Sequence, residues 1–283
     1  MKTIRTTTAA AIVRFLQSQF IQRDGVEHRL INGVGGIFGH GNVTGLGQAL
    51  EEHGGSTLPY FQAKNEQAMV HTAIAYAKTK RRLGALACTS SVGPGATNMV
   101  TGAATATINR LPVLLLPGDT FANRRPGTVL QQLEHPCSHD LSVNDCFRPV
   151  SRYWDRINRP EQILAALPEA MRILADPAET GAVTIALPED VQAEAFDCPA
   201  SFFEKRVYVV SRPPPTTDAL ALAARRLRAA KRPLLIAGGG VHYSDACAAL
   251  AAVATGTGVP VAVTQAGKGA LLEAHDLGLG AIG

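Results

Sequence analysis

Leu58-Pro59-Tyr60-Phe61, then Glu66-Gln67-Ala68-Met69-Val70-His71-Thr72-Ala73, then Gly93-Pro94-Gly95-Ala96-Thr97-Asn98 decide the fold. The first stretch is short, apolar and extended. The second opens a helix predicted over 66–80, whose apolar residues Met69, Val70, Ala73, Ile74 and Ala77 form one buried stripe. A strand is expected over 85–89. Gly93-Pro94-Gly95 then turns the chain into a helix over 96–108, followed by a strand over 112–116. Working outward, the same alternation predicts a helix over 8–22, a strand near 36–39, a helix over 45–53, a strand over 58–62, a helix over 161–174 and a strand over 182–187. Continuous apolar strands separated by helices predict an α/β fold, a doubly wound parallel sheet with both faces covered. Such sheets bind ligands beyond the carboxyl ends of their strands. Glu66, Gly39-His40-Gly41-Asn42 and Gly93 to Asn98 are all expected there.

Composition narrows the function classes. The chain has 283 residues, 46% hydrophobic and 18% charged, with a net charge of +4. The densest basic runs, 78–82 and 225–232, fall at predicted helix ends, where Lys and Arg complement the helix dipole and stay hydrated. With 5% aromatic residues there is little to stack on bases, and no nucleic-acid partner is expected. Five cysteines (Cys88, Cys137, Cys146, Cys198, Cys247) without a CxxC pair suggest reduced thiols and a cytoplasmic location. Arg14 interrupts the N-terminal apolar stretch, so an amphipathic helix is expected there instead of a signal peptide. Apolar runs such as 113–116 are too short to cross a bilayer, so no membrane role is implied.

Residues 118–147 lack periodicity, and a connector of that length is expected to be a functional loop covering the site. The organisation expected is a first domain over 1–195, a stiff linker over 196–217 containing Pro213-Pro214-Pro215, and the first half of a second Rossmann-like domain over 218–283. That second unit carries a helix over 218–230, a strand over 233–237, the turn Gly238-Gly239-Gly240, a helix over 244–255 and a strand over 259–264. The glycine turn lacks GxGxxG spacing, which favours tight packing over dinucleotide binding. Two strands make half of such a domain, so the chain is expected to be an N-terminal fragment, inactive alone.

The order and separation of the Glu66 helix, Gly93-Pro94-Gly95-Ala96-Thr97-Asn98 and Pro112-Val113-Leu114-Leu115-Leu116-Pro117-Gly118-Asp119 resemble the pyrimidine-binding domain of thiamine-diphosphate-dependent enzymes of the acetolactate synthase type. The resemblance covers roughly residues 5–195, and 218–283 resemble the start of that family's central domain. Phe38-Gly39-His40-Gly41-Asn42-Val43, Val143-Asn144-Asp145-Cys146-Phe147, Tyr153-Trp154-Asp155-Arg156-Ile157-Asn158 and Thr264-Gln265-Ala266-Gly267-Lys268-Gly269 resemble, more narrowly, the branch that hydrolyses a C–C bond of a polyhydroxylated cyclic 1,2-diketone in inositol catabolism, opening the ring to 5-deoxy-glucuronic acid.

The resemblance implies thiamine diphosphate as cofactor. Glu66 would hydrogen-bond the ring nitrogen of its aminopyrimidine and so promote loss of the thiazolium C2 proton, while Gly93, Pro94, Gly95 and Asn98 would lie against the ring. It implies that Mg2+ and the diphosphate are held by a Gly-Asp-Gly and downstream Asn motif in a C-terminal domain. No such motif occurs in this sequence. Gly118-Asp119-Thr120 does not replace it, and no metal ligand is assigned. It also implies a homodimer or tetramer, and leaves an FAD on the central domain open. His40 is a second catalytic candidate, since imidazole moves protons near neutral pH; the alternative is a His bonding the backbone of a Gly-rich turn. His71 is expected to pack structurally, and His135 and His139 are undecided. Gln131 or Gln132 is a candidate match for a family Gln near the cofactor. Two other functions stay open: acetolactate-type carboligation or 2-oxo acid decarboxylation, and a non-catalytic nucleotide-binding or assembly module, in which Glu66 merely complements a helix dipole.

Overall fold

Thr7 ends one element and starts the next. In the computed structural model, which describes residues 2–125, 127, 129–131, 133, 135 and 137–282, its Oγ1 accepts from the N–H of Ala10 at 3.2 Å. Strand β1 (Thr3–Thr7) thereby hands over to helix α1 (Thr8–Leu16), capped in the usual way by a threonine in extended conformation. The chain forms two units, Met1–Ser211 and Arg212–Gly283.

The helix expected to run to residue 22 stops at Leu16. Gln19–Arg23 is instead strand β2, whose side chains alternate between buried and half-buried, and it pairs antiparallel with β3 (Val26–Arg29). Asp24 and Gly25 turn the hairpin with φ of +55° and +81°. An Asp-Gly dipeptide favours such a turn, and the period-2 register of Phe20 and Ile21 overrides their helical spacing to α1.

The main sheet follows. β4 (Ile31–Gly36), placed earlier than expected, leads through the turn 37–42 and a short wide helical turn into α2 (Gln48–His53). Next come β5 (Tyr60–Gln62), α3 (Glu66–Thr79), β6 (Ala85–Ser90), the one-turn α4 (Pro94–Thr97), α5 (Val100–Ile108) and β7 (Val113–Asp119). After a 3-10 stretch over Val143–Val150 come β8 (Tyr153–Arg156), α6 (Ile163–Ala175), β9 (Ala182–Pro188) and α7 (Glu189–Ala193). The six strands run in the order β5-β4-β6-β7-β9-β8, every neighbouring pair parallel. The order reverses between β4 and β6, which places a crevice beyond their carboxyl ends.

Helix α3 buries Met69, Val70, Ala73, Ile74 and Ala77, the stripe read from the sequence. Burying a Val, Ile or Met side chain contributes about 1.5–3 kcal/mol, so this face fixes the rotation of the helix and the direction of Glu66 at its start. On the sheet side, β7 and β9 are buried along their whole length, as central parallel strands require.

The first unit extends beyond its expected end. Residues 196–211, read as linker, carry β10 (Ala195–Pro199), antiparallel to β1, and β11 (Arg206–Val209), parallel to β2. Phe202 between them stacks on Phe15 with centroids 4.6 Å apart. The pairing partners lie almost the whole domain away in sequence, so no local pattern announces them.

The second unit contains α8 (Thr217–Ala229), β12 (Leu235–Ala237), α9 (Gly239–Tyr243), α10 (Cys247–Thr257), β13 (Val261–Val263) and β14 (Gly278–Ala281). Its three strands form a parallel sheet, β12-β13-β14, around Ala237, Ala254, Val261, Val263, Ala270 and Leu271. The glycine turn after β12 leads directly into α9, ahead of the helix expected from residue 244.

Candidate active site

Glu66 stands on the first turn of α3, immediately beyond β5. Asn65 caps the helix, its Oδ1 accepting from the N–H of Ala68 at 2.9 Å, which holds the first turn and leaves the Glu66 side chain to point out of the layer. Asn98 follows α4, beyond β6, and its Nδ2 donates to Glu66 Oε2 at 2.7 Å. The two segments picked out in the sequence therefore meet through a side-chain hydrogen bond.

The turn beside them has no room to spare. Gly93 has φ +64°, and a Cβ there would collide with the backbone carbonyl of Gln131. A Cβ on Gly95 would collide with Ser91 Oγ and come within 3.3 Å of Glu66 Oε1. Glycine at 95 thus keeps open the space in front of the carboxylate oxygen that Asn98 does not engage. An open depression of about 610 Å³ results, lined by Glu66, Ser91, Gly95, Thr97, Asn98 and Gln131, with Pro94 at its edge. Gln131 projects from the irregular segment with φ +61°. Gln132 lies outside the described residues.

The turn 37–42 borders the same crevice and is fixed from inside. Asn42, fully buried, donates to the carbonyl of Ile37 and to Thr89 Oγ1 at 3.1 and 3.2 Å and accepts from the N–H of Gly39. Gln192 of α7 donates to the carbonyls of Gly41 and Leu187 at 2.6 and 2.8 Å. Neither amide was singled out individually from the sequence. His40 on this turn does not line the Glu66 depression; its Nε2 lies 3.0 Å from Glu189 Oε2. That carboxylate oxygen makes no aligned hydrogen bond among the described residues, so the contact is an electrostatic one. Burial raises the Glu189 pKa; the nearby His40 opposes this and Asp190 adds to it.

Two sequence comparisons bear on this geometry. The thiamine pyrophosphate enzyme N-terminal TPP binding domain matches residues 24–138, and the thiamine pyrophosphate enzyme central domain matches 220–283. The chain carries the N-terminal and central domains of the thiamine pyrophosphate enzyme family. His40, Glu66, Gly93, Pro94, Gly95, Asn98 and Gln131 all fall within the first match. Among curated relatives of this family, the chain is 56% identical over 285 residues to a 3D-(3,5/4)-trihydroxycyclohexane-1,2-dione hydrolase of Geobacillus thermodenitrificans. It is 54% identical to hydrolase 1 of that name from Bacillus cereus, and 53% identical to the hydrolase of Clostridium tetani. Each alignment covers 100% of this chain and 44% of the relative, so the chain spans less than half the length of these proteins.

In this thiamine pyrophosphate enzyme domain, Asp119 is wholly engaged. Ser142 Oγ and the Thr120 N–H bond its Oδ1, and Arg156 Nε donates to Oδ2 at 2.6 Å. Arg156 also reaches Asp145, which accepts from Arg148 at 2.8 Å and from the Ser142 N–H at 2.9 Å. Trp154 Nε1 donates to the carbonyl of Asn144, and Arg148 lies 4.0 Å over its ring. The 143–147 and 153–158 motifs are therefore one packed unit. Beyond β7 and β9, a cleft of about 460 Å³ is lined by residues including Arg124, His139, Asp140, Arg159 and Asp190. His135 is exposed, and His71 is half-buried 3.5 Å from Gln67 Nε2. No helix among the described residues is long and apolar enough to cross a membrane.

Proposed function

We propose that this chain supplies the pyrimidine-binding and central domains of a thiamine-diphosphate-dependent hydrolase that cleaves the C–C bond between the two carbonyls of 3D-(3,5/4)-trihydroxycyclohexane-1,2-dione, opening the ring to a deoxy sugar acid. The observation that carries it is the Glu66 carboxylate, held on one oxygen by Asn98 and facing the clearance over Gly95 with the other. The family match and the names of the relatives support the reading.

Residues and cofactor are chemically compatible. Glu66 Oε1 would accept or share a proton with the pyrimidine ring nitrogen, where a Gln would bond without sharing it. Pro94 and Gly95 line the space a ring would approach, whereas Gly93, expected there from the sequence, turns the chain against the Gln131 backbone and does not line the depression, and Asn98 prevents Glu66 from rotating away. Bound there, thiamine diphosphate supplies an electron sink for the charge released by C–C cleavage. His40, whose Nε2 lies 3.0 Å from Glu189 Oε2 without an aligned hydrogen bond and which does not line the depression, is proposed to carry a proton near the crevice, with the adjacent carboxylate as the counter-charge to its protonated form. Mg2+ with the diphosphate, and assembly as a homodimer or tetramer, belong to the same proposal and rest on the resemblance to the family.

The experiment is an assay of the whole protein for ring opening of the cyclic dione, with thiamine diphosphate added or withheld, beside an assay for pyruvate consumption. Cofactor-dependent ring opening is the expected result. Pyruvate consumption without ring opening would assign the chain to carboligation or decarboxylation.

A further inference from the structure

We propose that Ser91 is a further ligand-binding residue of the Glu66 depression, and that its hydroxyl binds an uncharged oxygen of the substrate and so helps select a polyhydroxylated ketone over a 2-oxo acid. This inference rests on the function proposed above and adds a residue to its site.

Four observations carry it. Ser91 is 7% exposed, yet no described residue hydrogen-bonds its hydroxyl. Its oxygen is not among the described buried polar atoms that lack a partner, so it opens onto the depression, where a ligand oxygen can both donate to it and accept from it. Its side chain is sandwiched between two turns: a Cβ on Gly39 would be 3.0 Å from Ser91 Cβ and 3.6 Å from Ser91 Oγ, and one on Gly95 would collide with Oγ. The hydroxyl is thus held in place without a protein partner. The same Gly39 position lies 3.8 Å from Gln131 Oε1, so a carboxamide and a hydroxyl converge on one wall.

The charge of that wall indicates the ligand. Among the described residues that line the depression, Glu66 is the charged one and none is cationic. A 2-oxo acid brings a carboxylate, which calls for a cation or a cluster of donors. Hydroxyl and carbonyl oxygens of a polyol ketone need neutral groups that both donate and accept, as Ser and Gln do. Ser91 is positioned rigidly because β6 delivers it and Val92 behind it is buried against Gly41 and Gly118.

The test uses the whole protein carrying Ser91→Ala. The expected result is a KM for the cyclic dione raised about five- to tenfold, the effect of one neutral hydrogen bond, with kcat and thiamine diphosphate affinity unchanged. Thermal unfolding of the variant is expected at the same temperature or higher, because no protein partner loses its bond. An unchanged KM overturns the assignment. A matching loss of cofactor affinity overturns it too, since the hydroxyl would then serve the cofactor, and a marked fall in unfolding temperature would make the hydroxyl structural. Glu66→Gln, measured in parallel, separates the two levels: an active Glu66→Gln enzyme refutes the proposed function, whereas an inactive one beside an unaltered Ser91→Ala refutes Ser91 alone.

Discussion

Asn98 Nδ2 donates to Glu66 Oε2 at 2.7 Å, joining the start of one helix to the end of another across the crevice where the strand order of the parallel sheet reverses. One carboxylate oxygen is thereby occupied and oriented, and the other is presented over Gly95. A carboxylate that must meet a ring nitrogen at one angle benefits from such a tether, because free rotation of the Glu side chain would dilute the productive geometry.

Asn98→Ala removes the tether and leaves the carboxylate in place. Hydrogen bonds to charged groups are worth roughly 1.5–3 kcal/mol, so thiamine diphosphate affinity of the whole protein should fall about tenfold or more. Titration calorimetry checks this, and Asn98→Asp, which sets a second carboxylate against the first, should do greater damage.

The Asp119–Arg156 pair is structural, with Asp119 1% exposed. Arg156→Met strands a buried carboxylate, and breaking such a pair from one side costs about 3–5 kcal/mol. Urea unfolding should show that loss, while the double change Asp119→Leu with Arg156→Met should recover most of it.

Acid sensitivity follows from Asp145. Burial alone would raise its pKa, but the Ser142 N–H, the charge of Arg156 and hydrogen bonds from Arg148 and Arg156 outweigh that and hold it below its ordinary 3.8. A depressed folded-state pKa contributes stability that is present above the unfolded value and is lost as pH falls through the folded one, so the window lies below about pH 4. Unfolding midpoints between pH 7 and pH 3 should therefore fall less for Asp145→Asn than for the unaltered protein.

Thiol reactivity should report the fold. Cys137 and Cys146 are exposed, whereas burial pushes the Cys88 thiol up to about 12 and that of Cys198 up to about 11, the latter slightly offset by Arg14. At pH 8 a disulfide reagent should label Cys137 and Cys146 rapidly, and Cys88 and Cys198 only after denaturation.

Much of this was readable in the chain, where local pattern and tertiary demand coincide. The stripe from Met69 to Ala77 is periodic because one face of α3 is buried, and Gly93 to Asn98 is glycine-rich because Gln131, Ser91 and Glu66 crowd it. The failures share a cause. The β2–β3 hairpin carried its own signal in Asp24-Gly25, masked by a helical run from α1 that continued numerically into Phe20. Strands β10 and β11 pair with β1 and β2 at the other end of the domain, and the Glu189 partner of His40 and the Gln192 clamp on Gly41 are equally distant in sequence. Ser91 was overlooked because a serine before a glycine turn looks like ordinary turn chemistry; only the absence of a partner for its hydroxyl separates it.

The most direct measurement is exchange of the thiazolium C2 proton for deuterium, followed by NMR in the whole protein loaded with thiamine diphosphate, for the unaltered chain and for Glu66→Gln. Loss of a positioned acid–base group typically costs about 10²–10⁴ in rate, and the Gln variant should exchange slower by a factor in that range while still binding the cofactor. Equal exchange rates in the two proteins would contradict the role given to Glu66.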